Sequence, residues 1–121
     1  LLGVTVLTSL DQPQMQWLGM PGTPGEWVGH LAALALEAGL DGVVSSPREL
    51  ELLQSEPLNR LLRVTPGVRT GDAPKHDQSR TMTPREAAQA GADYLVIGRP
   101  ITQNPDPLQA ARSINREIRS C

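Results

Sequence analysis

The chain of 121 residues contains a single cysteine, Cys121, which is its last residue. This excludes a disulfide framework and a cysteine-based metal site, and it fits a reducing, cytoplasmic setting. No apolar run approaches the roughly 18 residues of a membrane span, and no signal-peptide pattern opens the sequence. The net charge of −2, without any basic run, argues against nucleic acid and membranes as partners.

Lysine is equally scarce, because Lys75 is the only one in the chain. The sequence also begins on Leu1, within an apolar run and without a methionine. Both features lead us to expect further residues upstream.

Helix-capping residues beside a proline recur four times. Each is followed three residues later by Glu or Gln, which is the pattern of an N-cap, a proline at the first helical position and a reciprocal capping partner. A short apolar strand precedes each motif, so the order strand-then-helix is predicted four times. The motifs are Thr23-Pro24-Gly25-Glu26, Ser46-Pro47-Arg48-Glu49, Thr83-Pro84-Arg85-Glu86 and Asp106-Pro107-Leu108-Gln109.

The apolar runs and the capping motifs together predict the elements. Strands are expected over residues 1–7, 42–45, 62–65 and 94–97. Helices are expected over residues 24–38, 47–55, 84–90 and 107–119, with a loop over residues 10–22. One junction occurs twice, in Ala38-Gly39-Leu40-Asp41-Gly42-Val43-Val44 and in Ala90-Gly91-Ala92-Asp93-Tyr94-Leu95-Val96. Consecutive βα units produce such a recurrence.

Four βα units make an α/β protein with a parallel sheet, and they are half of an eight-unit (β/α)₈ barrel. We therefore expect residues 1–121 to supply half of a single barrel domain, and the resemblance given below implies that it is the C-terminal half, the last four units. Four strands of a closed barrel have two open edges and an uncovered inward face. An isolated half is expected to dimerise, to aggregate or to stay partly disordered.

Ligands of parallel barrels lie at the carboxyl ends of the strands, which here carry Thr8, Pro66, Arg69 and the pair Gly98-Arg99. Phosphate often binds after the last two strands of such barrels, where a planar guanidinium suits it. Gly98 would let the backbone approach the anion, while Arg69 and Arg99 would add charge. The alternative is that both arginines are solvated surface groups and that Thr8 only forms a turn.

Residues 70–80 form a long polar segment that resembles a lid over a site. Gln78 can donate and accept hydrogen bonds, so it could bridge two parts of a ligand; alternatively the segment is an ordinary exposed loop. Lys75 and His76 also lie here, but a mobile loop is a poor place to hold an acid or a base in position. The chain has no Asp/Lys cluster at a strand end, no His/Asp/Glu metal group and no glycine-rich nucleotide motif.

Five short sequence strings indicate the family more specifically than composition and spacing do. In their order and spacing they resemble the C-terminal half of the bacterial form of orotidine 5′-phosphate decarboxylase, across nearly the whole chain. The strings are Val4-Thr5-Val6-Leu7-Thr8-Ser9, Gly39-Leu40-Asp41-Gly42-Val43-Val44, Val64-Thr65-Pro66-Gly67-Val68-Arg69, Asp77-Gln78-Ser79-Arg80 before Met82-Thr83-Pro84, and Tyr94-Leu95-Val96-Ile97-Gly98-Arg99-Pro100-Ile101-Thr102.

The resemblance implies a role for each candidate residue. Thr8 would hydrogen-bond the pyrimidine and Pro66 would border its pocket. Arg69 and the Gly98-Arg99 pair would hold the 5′-phosphate. Gln78 would reach across phosphate and base.

The resemblance also implies the reaction, which is the loss of CO₂ from orotidine 5′-phosphate to give UMP in pyrimidine biosynthesis. The family uses no metal and no organic cofactor, and a lysine of a D-x-K-x-x-D motif protonates the C6 carbanion. This sequence lacks that motif, so we expect no catalytic residue here and place the Asp/Lys array in a missing N-terminal half. A cytoplasmic homodimer is the implied form, and the fragment alone is expected to be inactive.

Two alternatives remain open from the sequence. One is another phosphate-binding barrel enzyme of the hexulose-phosphate synthase or phosphate-sugar isomerase type. The other is a non-catalytic half-barrel that dimerises and binds phosphate. Thr8 and Gln78 favour a pyrimidine ligand over the first alternative.

Overall fold

Four short parallel strands form one sheet in the computed structural model, which describes residues 1–68 and 82–119. The strands are β1 (Leu2–Val4), β2 (Gly42–Val44), β3 (Leu62–Pro66) and β4 (Tyr94–Val96), and they lie side by side in chain order. Every neighbouring pair is parallel. This is the order that successive βα units of a barrel produce, so the α/β half-barrel expected from the sequence is confirmed.

Five α-helices accompany the strands in the described residues: α1 (Gln12–Trp17), α2 (Pro24–Glu37), α3 (Pro84–Gln89), α4 (Arg99–Thr102) and α5 (Pro107–Arg119). The helices predicted from Pro24, Pro84 and Pro107 are all present. None of the helices in the described ranges is long and apolar enough to cross a membrane.

Two predicted caps form the full reciprocal arrangement. Thr23 and Thr83 accept from the N–H groups of Glu26 and Glu86, and each glutamate accepts from the backbone N–H of its threonine. Asp106 also caps its helix, but the side chain of Asn104, rather than that of Gln109, accepts from the Asp106 N–H.

The prediction of a helix over residues 47–55 is wrong, because two 3₁₀ segments, Pro47–Glu49 and Leu52–Gln54, occupy this stretch, and a third, Leu58–Arg60, follows it. Ser46 accepts from the N–H of Arg48 and no reciprocal box forms. Leu50, Leu53, Leu58 and Leu61 nevertheless are buried. Their spacings of three and five residues suit short 3₁₀ turns that can reorient between one leucine and the next.

The prediction of a loop over residues 10–22 is also wrong, since α1 lies within it. Asp11 and Gln14 form a complete capping box, with hydrogen bonds of 2.9 Å in both directions, and a proline lies in the first turn. Met15 is the only buried residue of α1. A six-residue helix with one buried side chain carries too little periodicity to be seen in the sequence.

The repeated junction is confirmed in its hydrogen bonds. Gly39 and Gly91 follow α2 and α3 with φ of 74° and 95°, values that glycine adopts without steric cost. The N–H of Leu40 donates to the carbonyl of Ala35, and that of Ala92 donates in the same way to Ala87. Both helices therefore end in the same left-handed turn before a strand.

The core lies between one face of the sheet and the elements α1, α2 and the 3₁₀ segments. Val43 of β2 is fully buried there. It packs with side chains from those elements in one cluster: Val6, Met15, Val28, Ala32, Ala35, Leu53, Leu58 and Leu61.

The opposite face of the sheet exposes its apolar side chains. We call its exposed apolar side chains the open face: Leu2, Val4, Leu62, Tyr94 and Val96. They are 41 to 61% exposed, and a Cβ built on Gly3, between two of them, would instead touch Ala35 and Leu40 on the helix side. Successive side chains of a strand point to opposite faces, so the residues of the open face share the side of the sheet opposite to the core.

One apolar side chain of α5 is exposed. Leu108 is 61% exposed, whereas Ile114 of the same helix is buried. It lies six residues before Ile114, which is about 120° around the helix axis from that buried side chain. In the described residues α5 packs mainly on α3 and α4, so Leu108 faces away from its neighbours.

Candidate functional site

The carboxyl ends of β3 and β4 lie next to each other. Pro66, the last residue of β3, pairs in register with Val96, the last residue of β4. Gly98 and Arg99 follow Val96 after a single residue, so they project from the strand end beside Pro66. The sequence predicts that the ends of these two strands lie next to each other, and the strand register confirms this. Arg69 follows Pro66 by three residues but lies outside the described residues.

Gly98 begins a short helix. Its carbonyl accepts from the N–H groups of Ile101 and Thr102, at 2.9 and 3.0 Å, and Arg99 is the first residue of α4. Gly98 has a negative φ, and a Cβ built on it would meet no atom of the described residues within 4 Å. Neither packing nor a left-handed backbone requires glycine here. The open space in front of residue 98 leaves room for a ligand to approach the backbone.

The side chain of Arg99 is exposed at this edge. An exposed guanidinium beside an accessible backbone can make the planar, charge-assisted contacts that phosphate favours. Pro66 is half-buried between the two strands and can form an apolar wall next to them. The structure therefore brings together three of the six predicted site residues: Pro66, Gly98 and Arg99.

Thr8 lies at the same edge of the sheet but two strands away from β3. It sits in a tight turn closed by the N–H of Leu10, which donates to the carbonyl of Leu7 at 2.9 Å. Strand spacing places β1 about 10 Å from β3, and β4 lies one strand further. Thr8 is exposed, so its hydroxyl is free to meet a ligand that extends across the edge.

The remaining sequence-predicted residues cannot be placed. Gln78 and the rest of the proposed lid, together with Lys75 and His76, lie outside the described residues. Within residues 1–68 and 82–119, no three His, Cys, Asp or Glu side chains are grouped so that they could hold a metal ion.

Sequence reasoning missed the environment of Glu49. In the sequence it is a capping partner of Ser46, whereas in the fold its Oε2 is buried and has no hydrogen-bond partner among the described residues. It faces a cavity of about 10 Å³ next to the Thr8 turn. The signal in the sequence was a carboxylate in the segment that follows β2, five residues after its last residue. The cavity is lined by Val6, Leu7, Thr8, Leu10, Pro24, Ser46 and Glu49.

Comparison with known proteins shows the family and the fold of the chain. A family model described as orotidine 5′-phosphate decarboxylase / HUMPS family matches residues 1–114. The orotidine 5′-phosphate decarboxylase of Nitrosococcus oceani is 52% identical over 118 residues, covering 98% of this chain and 51% of that protein. The enzyme of the same name from Coxiella burnetii is 51% identical over 120 residues, covering 99% and 51%.

A solved structure has the same fold. The crystal structure of orotidine 5′-phosphate decarboxylase from Lactobacillus acidophilus superposes with a TM-score of 0.78 at 35% identity. The match covers 97% of this chain and 48% of that one. The chain thus spans about half the length of the relatives that it matches.

Proposed function

Because this chain belongs to the orotidine 5′-phosphate decarboxylase / HUMPS family, we propose that it acts as the C-terminal half of an orotidine 5′-phosphate decarboxylase. In this proposal residues 1–121 form the last four units of one (β/α)₈ domain. The open face is then the interior of the barrel, and the first four units cover it. The exposure of Val4, Tyr94 and Val96 supports this, since soluble proteins rarely leave such a surface bare.

The half-barrel supplies binding rather than bond cleavage. The observation that carries the proposal is the adjacency of Pro66 with Gly98 and Arg99 at one edge, with Thr8 further along it. Arg99 and the Gly98 backbone hold the 5′-phosphate together with Arg69. Pro66 and Thr8 contact the pyrimidine, and Gln78 bridges the two ends.

The chemical step belongs to the other half. Orotidine 5′-phosphate loses CO₂ from C6, and a lysine of the first four units protonates the resulting carbanion to give UMP. Phosphate binding remote from C6 contributes by holding the substrate under a closed lid, which raises the rate as well as the affinity. The reaction belongs to pyrimidine nucleotide synthesis, and we propose a cytoplasmic homodimer as the working form.

A chimeric barrel tests the proposal. It joins the half of the Nitrosococcus oceani decarboxylase that this chain does not match to the amino end of the chain. We expect this protein to convert orotidine 5′-phosphate to UMP and the 121-residue chain alone to show no turnover. The loss of orotate absorbance and the release of CO₂ measure the reaction.

Three results would contradict the proposed function. A folded chimeric barrel that binds ribose 5-phosphate more tightly than UMP would favour a hexulose-phosphate synthase type of activity. Turnover by the pure chain would place the catalyst within these 121 residues. A discrete symmetric dimer of the chain that unfolds cooperatively and binds phosphate would support the non-catalytic half-barrel instead.

A further inference from the structure

We propose that Glu49 is a positioning residue for the pyrimidine end of the site, which it serves by fixing the turn that carries Thr8. The inference rests on the proposed function for the role of Thr8. It adds a side chain that touches no substrate and lies behind the turn.

The turn forms one wall of a small, partly open space. Leu7 and Leu10 close the turn by a backbone hydrogen bond of 2.9 Å, with Thr8 as one of its two central residues. These three residues line one side of the 10 Å³ cavity. Ser46 and Glu49, from the segment after β2, line the other side. Any change in this space is therefore transmitted directly to the backbone of Thr8.

Glu49 contributes to that space a buried carboxylate oxygen, Oε2, that has no hydrogen-bond donor among the described residues. A buried carboxylate oxygen without a donor costs free energy, and an ionised carboxylate can only accept. A cavity of about 10 Å³ has room for about one water molecule, which would donate one hydrogen bond to Oε2 and keep its other hydrogen-bonding groups for the facing turn. Glu49 thus links the segment after β2 to the turn after β1 through one hydrogen-bonded bridge.

The apolar neighbours explain why the water-mediated bridge between Glu49 and the turn has a defined geometry. Val6 is buried, and Leu10 packs against the core cluster beside it. With apolar side chains around the space, a water molecule there has few competing partners. The orientation of the Glu49 carboxylate then sets the orientation of the bridge and of the turn.

Hydrogen exchange in the 121-residue chain gives the first test, which does not depend on any activity. We expect Glu49→Ala to accelerate exchange of the amides of residues 7–10 several-fold, and Glu49→Gln to leave it nearly unchanged because its amide oxygen can still accept. Glu51→Ala is the matched control, because Glu51 lies two residues further along and is exposed. Unchanged exchange in Glu49→Ala would overturn the proposal. If that variant fails to fold, Glu49→Asp withdraws the oxygen with less loss of volume and must give the same acceleration.

The second test separates positioning from general stability. In the chimeric barrel we expect Glu49→Ala to weaken UMP binding about fivefold, the effect of losing one hydrogen bond, and Glu49→Gln to restore it. In a Thr8→Ala background the same change should have no further effect, because the group being positioned is gone. Equal weakening with and without Thr8 would refute the role. A chimeric barrel that binds UMP but does not decarboxylate orotidine 5′-phosphate would count against the proposed function and leave this test intact.

Discussion

Arg63 and Asp93 join the amino ends of β3 and β4 by a three-part contact. The backbone N–H and the Nε of Arg63 donate to Oδ2 of Asp93 at 2.8 and 3.0 Å, and its Nη2 donates to Oδ1 at 3.3 Å. The two side chains are 17 and 32% exposed. The pair lies at the end of the sheet opposite to Thr8 and Gly98. Polar contacts at this end of a parallel barrel stabilise the fold rather than take part in catalysis.

Removal of this carboxylate should destabilise the chain without altering the site. We expect Asp93→Ala to lower the free energy of unfolding by about 1–2 kcal/mol, because two charge-assisted bonds and one backbone bond are lost from a partly solvated position. Urea unfolding measures the change. Asp106→Ala is a useful comparison, since it removes only a cap at an exposed helix end. Equal losses for both variants would mean that the Arg63 contact adds nothing beyond a cap.

The same pair predicts a pH dependence. Partial burial alone would raise the pKa of Asp93, but the hydrogen bonds and the charge of Arg63 outweigh burial and hold the pKa below its usual value of 3.8. A carboxyl whose pKa is lower in the folded state stabilises the fold above its unfolded pKa, and this stabilisation is lost as the pH falls through the folded-state value.

The difference in unfolding free energy between the natural chain and Asp93→Asn should therefore be constant above about pH 5 and shrink below pH 4. Unfolding curves at several pH values measure it. A difference that grows as the pH falls would show that the charge of Asp93 is not stabilising.

The capping boxes are a second source of local stability. Thr83→Ala should cost about 1 kcal/mol, since it leaves the N–H of Glu86 without an acceptor, while Thr83→Ser should cost much less. Thermal unfolding with both variants checks this. A Thr83→Ala protein as stable as Thr83→Ser would mean that packing of Pro84, rather than the hydroxyl, holds the start of α3.

Local signals of this kind explain how much of the fold could be predicted. The caps of α2, α3 and α5 and the glycine stops at Gly39 and Gly91 act within one turn of the chain, so the sequence reveals them. The segment after Ser46 has the same capping signal. It forms 3₁₀ segments instead of a helix because its leucines pack along the curved core. That outcome depends on tertiary packing that no local pattern contains.

The neighbourhood of the candidate site residues was predictable to the same extent. A parallel sheet puts the ends of neighbouring strands together, and this places Pro66 beside Gly98 and Arg99 as expected. The burial of the Glu49 oxygen beside Thr8 was not predictable, because the two residues are 41 positions apart and meet only when β1 and β2 pair. The spacing of residues along the chain does not indicate that two loops will enclose a cavity.

A charge introduced on the open face should have different effects on folding in the isolated chain and in the chimeric barrel. Val96 is 53% exposed here, so Val96→Asp should change the stability of the 121-residue chain by no more than about 0.5 kcal/mol and reduce its self-association. Inside a closed barrel the same charge is buried without a partner and should prevent folding. Soluble yield and size-exclusion profiles of both proteins measure this. A chimeric barrel that tolerates Val96→Asp would mean that the open face is not its interior.

Arg99 offers the sharpest check on the phosphate end of the site. In the chimeric barrel, Arg99→Ala should lower kcat/KM for orotidine 5′-phosphate by several powers of ten, equivalent to several kcal/mol, because a charge-assisted contact and the closure that it drives are both lost. Arg99→Lys should restore only part of this, since an ammonium cannot make the planar two-point contact.

The control for Arg99→Ala is a second substrate, orotidine, rather than a variant at another residue. Orotidine lacks the phosphate, so Arg99→Ala should leave its slow decarboxylation nearly unchanged if the guanidinium acts only on that group. An equal loss with both substrates would mean that Arg99 supports the barrel or the reacting ring. An unchanged kcat/KM with the phosphorylated substrate would remove Arg99 from the site and leave Gly98 and Arg69 as its phosphate contacts.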